Sequence, residues 1–159
     1  MIQTKALVCS ELSEDMSHVH IKTLTLLDPK DHEVLIKVKA ASVNFPDLLM
    51  TKGMYQHKPE LPFVLGMEGS GVVKKVGKKV VKIREGDEIT FGAMGKGAFS
   101  EYVVVGENSV ETKSSQLSFS EAASFQTAYL TAYVSLVRRG NLLKGENLLV
   151  HGATGGVGM

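Results

Sequence analysis

The residues of this chain that could do chemistry stand at a few points, and the densest is a glycine run. Gly152-Ala-Thr-Gly-Gly-Val-Gly158 follows directly on the short apolar stretch Asn147-Leu-Leu-Val-His151. A buried strand that feeds a glycine loop and then a helix start is a phosphate cradle. Glycine lets the backbone approach a pyrophosphate, and the free amides of the helix N-terminus meet its charge. Gly155, Gly156 and Val157 are the candidate amide donors. The pattern is incomplete, since Ala153 occupies the place of the first glycine, and a frayed glycine-rich end is the alternative. Nucleophilic sets are lacking: no Ser/His/Asp or Cys/His arrangement is present, and Cys9, the one cysteine, reads as an inert core thiol. Histidines 18, 20, 32, 57 and 151 show no paired-ligand spacing except His18-x-His20, which suits one face of a strand, so no metal site is expected.

Length and composition bound what must position these residues. A chain of 159 residues is enough for about one domain at ~100 to 200 residues each, and it can bury a core without disulfides or a metal. A single cysteine removes the disulfide-stapled secreted class and agrees with a reducing compartment. Eighteen Lys plus Arg against 17 Asp plus Glu leave a net charge of +1, so no global field draws the chain to nucleic acid or an anionic membrane. Neither a signal-peptide pattern nor a run near the ~18 apolar residues of a membrane span is present, and a soluble, cytoplasmic protein is expected.

The first two thirds read as strands and turns. Glu33 to Val43 alternates, with Val34, Ile36 and Val38 on one face and Lys37 and Lys39 on the other. Gly69 to Val76, Asp87 to Phe91 and Phe99 to Val105 are further strand candidates between glycine-marked turns, which suggests a barrel or sandwich. Pro46 to Lys52 should form a short helix, with proline preset for the first turn and Gly53 closing the end. At Ser118-Phe-Ser-Glu121 a capping box opens a helical region that runs to Arg138-Arg139-Gly140, with a break expected within Thr127 to Tyr133. Asn147 to His151 is then read as a buried strand. The expected organisation is a β domain over residues 1–117, a helical connection over 118–146, and over 147–159 the start of a nucleotide-binding domain that stops within its first loop.

Several stretches together carry a family resemblance. Ser42-Val-Asn-Phe-Pro-Asp-Leu-Leu49, Lys52-Gly-Met-Tyr55, Leu61-Pro-Phe-Val-Leu-Gly-Met-Glu-Gly-Ser-Gly71, Gly86-Asp87, Gly97-Ala-Phe-Ser-Glu-Tyr102, Thr127-Ala-Tyr-Leu-Thr131 and the glycine run resemble the zinc-free quinone oxidoreductase branch of the medium-chain dehydrogenase/reductase superfamily. The resemblance covers essentially the whole chain. It implies a mainly β fold with some α: a GroES-like, partly open β-barrel, followed by helices and the first strand and phosphate loop of a truncated Rossmann domain. It also implies NADP(H) as cofactor in a longer parent, and a small quinone or α,β-unsaturated carbonyl as substrate. A homodimer is compatible with it, and the 159-residue chain alone is expected to be inactive.

Zinc-dependent relatives carry a cysteine near the position of Asn44 and a histidine at that of Met67. Carboxamide and thioether groups are poor zinc ligands, so no zinc is expected. Without a Lewis acid, hydride transfer to a conjugated carbonyl needs hydrogen-bond donors for the charge that develops on oxygen. Asn44 is one candidate, with helix capping before Pro46 as the alternative. Tyr55 is another, its alternative being a rim aromatic that only packs. Thr131 matches a family position near the nicotinamide, where a back-bond to its own helix is the alternative. Thr127 in the same motif is a candidate cofactor contact. Glu68 is expected to be hydrogen-bonded near the cleft, and Asp47 to serve the dipole of the short helix.

Lys74, Lys75, Lys78, Lys79, Lys82 and Arg84, expected on two strands and the Gly77 turn, form the one local basic run, yet no aromatics interleave with it and Glu85, Asp87 and Glu88 follow. A solvated hairpin edge guarded by lysines is the stronger reading. Two functional classes remain open: half of a zinc-independent quinone, enone or enoyl-thioester reductase, and a stand-alone β-barrel binding module.

Overall fold

Strand β3 (Glu33–Ala41) is central in the computed structural model, which describes residues 1–159. Before it come β1 (Ile2–Cys9) and β2 (Val19–Leu26); after it come helix α1 (Phe45–Thr51), β4 (Phe63–Val64), β5 (Glu68–Val76), β6 (Glu88–Gly92), β7 (Tyr102–Gly106) and β8 (Val110–Thr112). Two antiparallel sheets result, one in the order β2-β1-β4 and the other in the order β7-β3-β5-β6-β8. Alternation in β3 places Val34 and Ile36 at 0% exposure in the main core while Lys37 and Lys39 face out. That core gathers eleven buried residues around Phe91 and Ile89. A smaller one joins Cys9, Met50, Phe63, Leu65 and Met67.

The two sheets cross where backbone meets backbone. Leu7 N–H donates to Phe99 O at 2.8 Å and Glu101 N–H to Lys5 O at 3.0 Å, both between β1 and the segment that leads into β7. So close a crossing leaves no room for side chains: a Cβ on Gly97, whose φ is +84°, would lie 2.2 Å from the Val64 side chain. The sheets do not close on each other, and the result is a partly open barrel. No helix is long and apolar enough to cross a membrane.

The capping box at Ser118 forms, with Ser118 N–H donating to Glu121 Oε2 at 2.8 Å and Glu121 N–H to Ser118 Oγ at 3.3 Å. It opens α2 (Phe119–Ala123), which is followed by α3 (Phe125–Tyr133) and a wider π-helical turn over Val134–Arg139. The break falls at Ser124, earlier than its expected place within Thr127 to Tyr133. Ser124 Oγ donates back to the carbonyls of Ser120 (3.3 Å) and Glu121 (3.1 Å), and its φ of −96° and ψ of 2° interrupt the helix. Lys113 fastens this region to the barrel: its ammonium reaches Glu88 at 3.0 Å and Leu117 O at 2.7 Å, and stands 5.3 Å from the Phe119 ring centre.

Two expectations are corrected. Residues 147–151 form no strand; no other strand lies beside them to supply a ladder, and a strand exists only with such a partner. Leu148, Leu149 and Val150 are accordingly exposed. Lys82 and Arg84 lie on the irregular connection between β5 and β6 rather than on a strand. Lys75 pairs with Asp28 at 3.1 Å and Lys79 with Asp31 at 2.9 Å, so part of the basic run is already neutralised.

Phe91 is fully buried at the centre of the main core. Phe91→Ala is expected to lower stability by about 3–5 kcal/mol, read as a reduced midpoint in urea denaturation.

Candidate functional site

Glu68 begins β5 with 3% exposure and holds three segments of chain together. Its Oε1 accepts from Ser42 Oγ, just past β3, and from Asn44 Nδ2 at 2.9 Å; its Oε2 accepts the backbone N–H of Thr127 in α3 at 2.8 Å. A buried carboxylate is tolerated where such donors replace its water. Asn44 also donates to Ser42 Oγ at 2.8 Å, so both N–H bonds of its carboxamide are spent inside the protein. Its side-chain oxygen, still free to accept, faces the Asp47 amide in a capping box, short of a full hydrogen bond. Asp47 closes the box, its Oδ2 accepting from Asn44 N–H at 2.8 Å.

Asp47 is itself buried, at 4% exposure, and its Oδ1 has no hydrogen-bond partner at bonding distance. Burial pushes its carboxyl above the ordinary aspartate range and the nearby Glu68 adds to the rise, while the amides of Asn44, Gly66 and Met67 oppose it.

A cleft of about 650 Å³ opens beside this knot. Met67 and Glu68 form one part of its wall, the end of β6 with Met94 and Lys96 a second, and α3 a third through Gln126, Thr127, Leu130 and Thr131. The α3 residues recur at helical spacing, so one stripe of that helix faces the barrel mouth. The volume and the mixture of apolar wall with a few polar groups suit a small molecule.

The cleft brings Thr127 and Thr131 together; Asn44 and Tyr55 are not among its lining residues. Thr131 is exposed, and its hydroxyl makes no back-bond into α3. Tyr55 is half-buried against the smaller core that contains Met67, and its phenol is not engaged by the protein. Gly155, Gly156 and Val157 are exposed in a run of turns, apart from the cleft lining. Gly155 N–H donates to Gly152 O at 3.0 Å. His18 precedes β2 and lies 3.8 Å from Glu11, and no group of three or more His, Cys, Asp or Glu gathers anywhere. Sequence reasoning missed Ser42, Lys96 and Gln126. Only Lys96 carried a signal, a lone cation between Gly95 and Gly97 at the end of a strand candidate.

An antiparallel barrel with a cleft between its mouth and a following helix is the architecture that gathers these polar groups. The model of the alcohol dehydrogenase GroES-like domain matches residues 30–115, and the chain belongs to that family, within the medium-chain dehydrogenase/reductase superfamily. It is 37% identical over 131 residues to the quinone oxidoreductase of Homo sapiens, a match that covers 82% of this chain and 40% of the relative. Among solved structures, it superposes on the quinone oxidoreductase from Coxiella burnetii with a TM-score of 0.90 at 29% identity, over 99% of this chain and 51% of that one. On the CurK enoyl reductase the TM-score is 0.84 at 28% identity, over 99% and 49%. The chain spans about half the length or less of these proteins.

A carboxyl held above its ordinary value binds its proton more tightly in the folded state. Its contribution to stability is therefore full at acid pH and is lost as pH rises from about 4 through the raised value. Relative to Asp47→Asn, which does not titrate there, the unaltered chain should lose stability over that rise, as paired denaturation curves across pH will read.

Proposed function

We propose that this chain is the barrel half of an NADPH-dependent, zinc-independent oxidoreductase that reduces a quinone or enone, and that the cleft beside Glu68 takes the conjugated carbonyl. The observation that carries this reading is the pair of free hydroxyls of Thr127 and Thr131 facing an apolar wall built on Met67. Similarity to quinone oxidoreductases supports it. Exposed Tyr129, Tyr133, Leu148 and Leu149 support a longer protein in which they are covered.

The nicotinamide end of the cofactor fits the cleft chemically, since threonine hydroxyls can both donate to and accept from a carboxamide or ribose. The pyrophosphate end does not fit the loop as it stands. The Gly155 amide is turned inward to Gly152 O, leaving the Gly156 and Val157 amides without a helix behind them. A bound reduced nicotinamide supplies the hydride. Thr131 is the donor proposed for the charge developing on the acceptor oxygen, and Tyr55, outside the cleft lining, is proposed as a donor from the rim. Asn44, with both N–H bonds committed, acts by holding Glu68 and presents only its carbonyl oxygen. Thr127, whose main chain Glu68 fixes, orients the cofactor. Hydroxyl, carboxamide and thioether groups around Glu68 are not a zinc donor set, which supports the metal-free reading. An enoyl-thioester reductase is the second reading, favoured by the similarity to the CurK enoyl reductase.

Intact mass or the position of the stop codon decides whether the natural product is about twice this length. That longer protein, dialysed exhaustively against chelator, should oxidise NADPH when a quinone or enone is added. Activity lost on chelation and restored by zinc, or no turnover with either acceptor class, overturns the reading. Thr131→Val should lower kcat/KM about tenfold to hundredfold with an unchanged melting temperature. The 159-residue chain titrated with NADPH by calorimetry should show no micromolar binding, the level that corresponds to about −8 kcal/mol.

A further inference from the structure

The cleft is lined by two ionisable side chains, Glu68 and Lys96. Glu68 is buried and both its oxygens are filled by Ser42, Asn44 and Thr127, so it has nothing left to offer a ligand. Lys96 is in the opposite condition. It is exposed on the loop between β6 and β7, with its main chain fixed by Lys96 N–H donating to Ala93 O at 2.8 Å and Gly97 N–H to the same oxygen at 2.9 Å. No carboxylate lies within ion-pair distance of its ammonium, whereas Lys52, Lys75, Lys79 and Lys113 each have one. A smaller hollow of about 320 Å³ meets the same lysine and contains Asp28 and Glu33. Asp28 is already held by Lys75 at 3.1 Å and by the N-terminal ammonium at 3.4 Å, and Glu33 accepts the Lys30 N–H at 2.9 Å, so neither forms an ion pair with Lys96.

We infer that Lys96 determines specificity, selecting acceptors that carry an anionic group, such as a carboxylate, in the same molecule as the conjugated carbonyl. The inference rests on the reading of the cleft as the acceptor site. The remaining wall is apolar or neutral, including Met67, Met94, Leu130 and Val134, and a low-dielectric wall strengthens the pull of one uncompensated cation on an anion. A lysine is a compact charge on a flexible stem and needs no planar partner, so a carboxylate or a phosphate will serve. A nicotinamide cofactor also carries phosphates. The cleft places Lys96 with Thr131 and the apolar wall proposed for the acceptor, and a raised KM for NADPH in Lys96→Met is the sign that would assign it to cofactor phosphate instead.

The test uses the longer protein with NADPH and two acceptors, an enone bearing a carboxylate and its methyl ester. Lys96→Met should lower the acid-to-ester ratio of kcat/KM about threefold to tenfold, a loss that shrinks with added salt, and Lys96→Glu should lower it further. Lys78→Met, which removes the same charge from the exposed β5–β6 connection, should keep the ratio. An unchanged ratio in Lys96→Met overturns the inference, and so does an unchanged ratio together with a raised KM for NADPH, which would assign the lysine to cofactor phosphate. Where neither acceptor turns over, calorimetric titration of the cofactor-free protein with the acid and the ester should show the same loss of preference in Lys96→Met, and an unchanged preference there overturns the inference equally. Absent turnover then counts against the oxidoreductase reading alone.

Discussion

A carboxylate out of water must be met by donors, and in this chain that requirement organises the ground around the cleft. Glu68 draws its donors from the residues after β3, from the cap of α1 and from the main chain of α3, segments far apart in sequence. Removing the carboxylate would leave three donors without their acceptor, each at a cost of about 1–3 kcal/mol where it stays buried. Keeping it means that the barrel mouth and the helix opposite are held at one spacing. The cleft width thus follows from charge solvation rather than from apolar packing, which is concentrated elsewhere.

Asp47 shows the cost of that arrangement. The start of α1 needs an acceptor for the Asn44 amide, and a carboxylate at the third helical position supplies it. The same side chain is then buried near Glu68 with one oxygen unpartnered. Two acidic groups are confined together because one caps a helix and the other joins segments, and neither function can be handed to a surface residue.

Much of the barrel was legible because its signals are local. Alternation in β3, the proline and glycine around α1, and the Ser118–Glu121 box each reflect interactions within a few residues. The break at Ser124 was not placed, because it depends on a hydroxyl choosing carbonyls of the preceding turn. The strand expected at 147–151 failed for a different reason: apolar pattern describes what a segment could bury, while a ladder also needs a neighbour. At the site, Glu68 could be foreseen as hydrogen-bonded. Its partner Thr127 lies 59 residues away and offers a main-chain amide, which no side-chain identity reveals. Asn44 invited two readings, and the geometry gives its N–H bonds to a third use.

The barrel has two separate cores, eleven buried residues in one and five in the other, with no member in common. Met67 belongs to the smaller, and Tyr55 packs on it, so these two residues beside or near the cleft draw on a different reserve of packing from the one that holds the larger sheet. Substitutions at Met67 are absorbed by the minor core, whereas Ala93 and Val105, which line the same cleft, belong to the core of the larger sheet. A scaffold partitioned in this way can vary the Met67 side of what it accepts at little risk to the larger sheet, and the opposite side only at that sheet's expense.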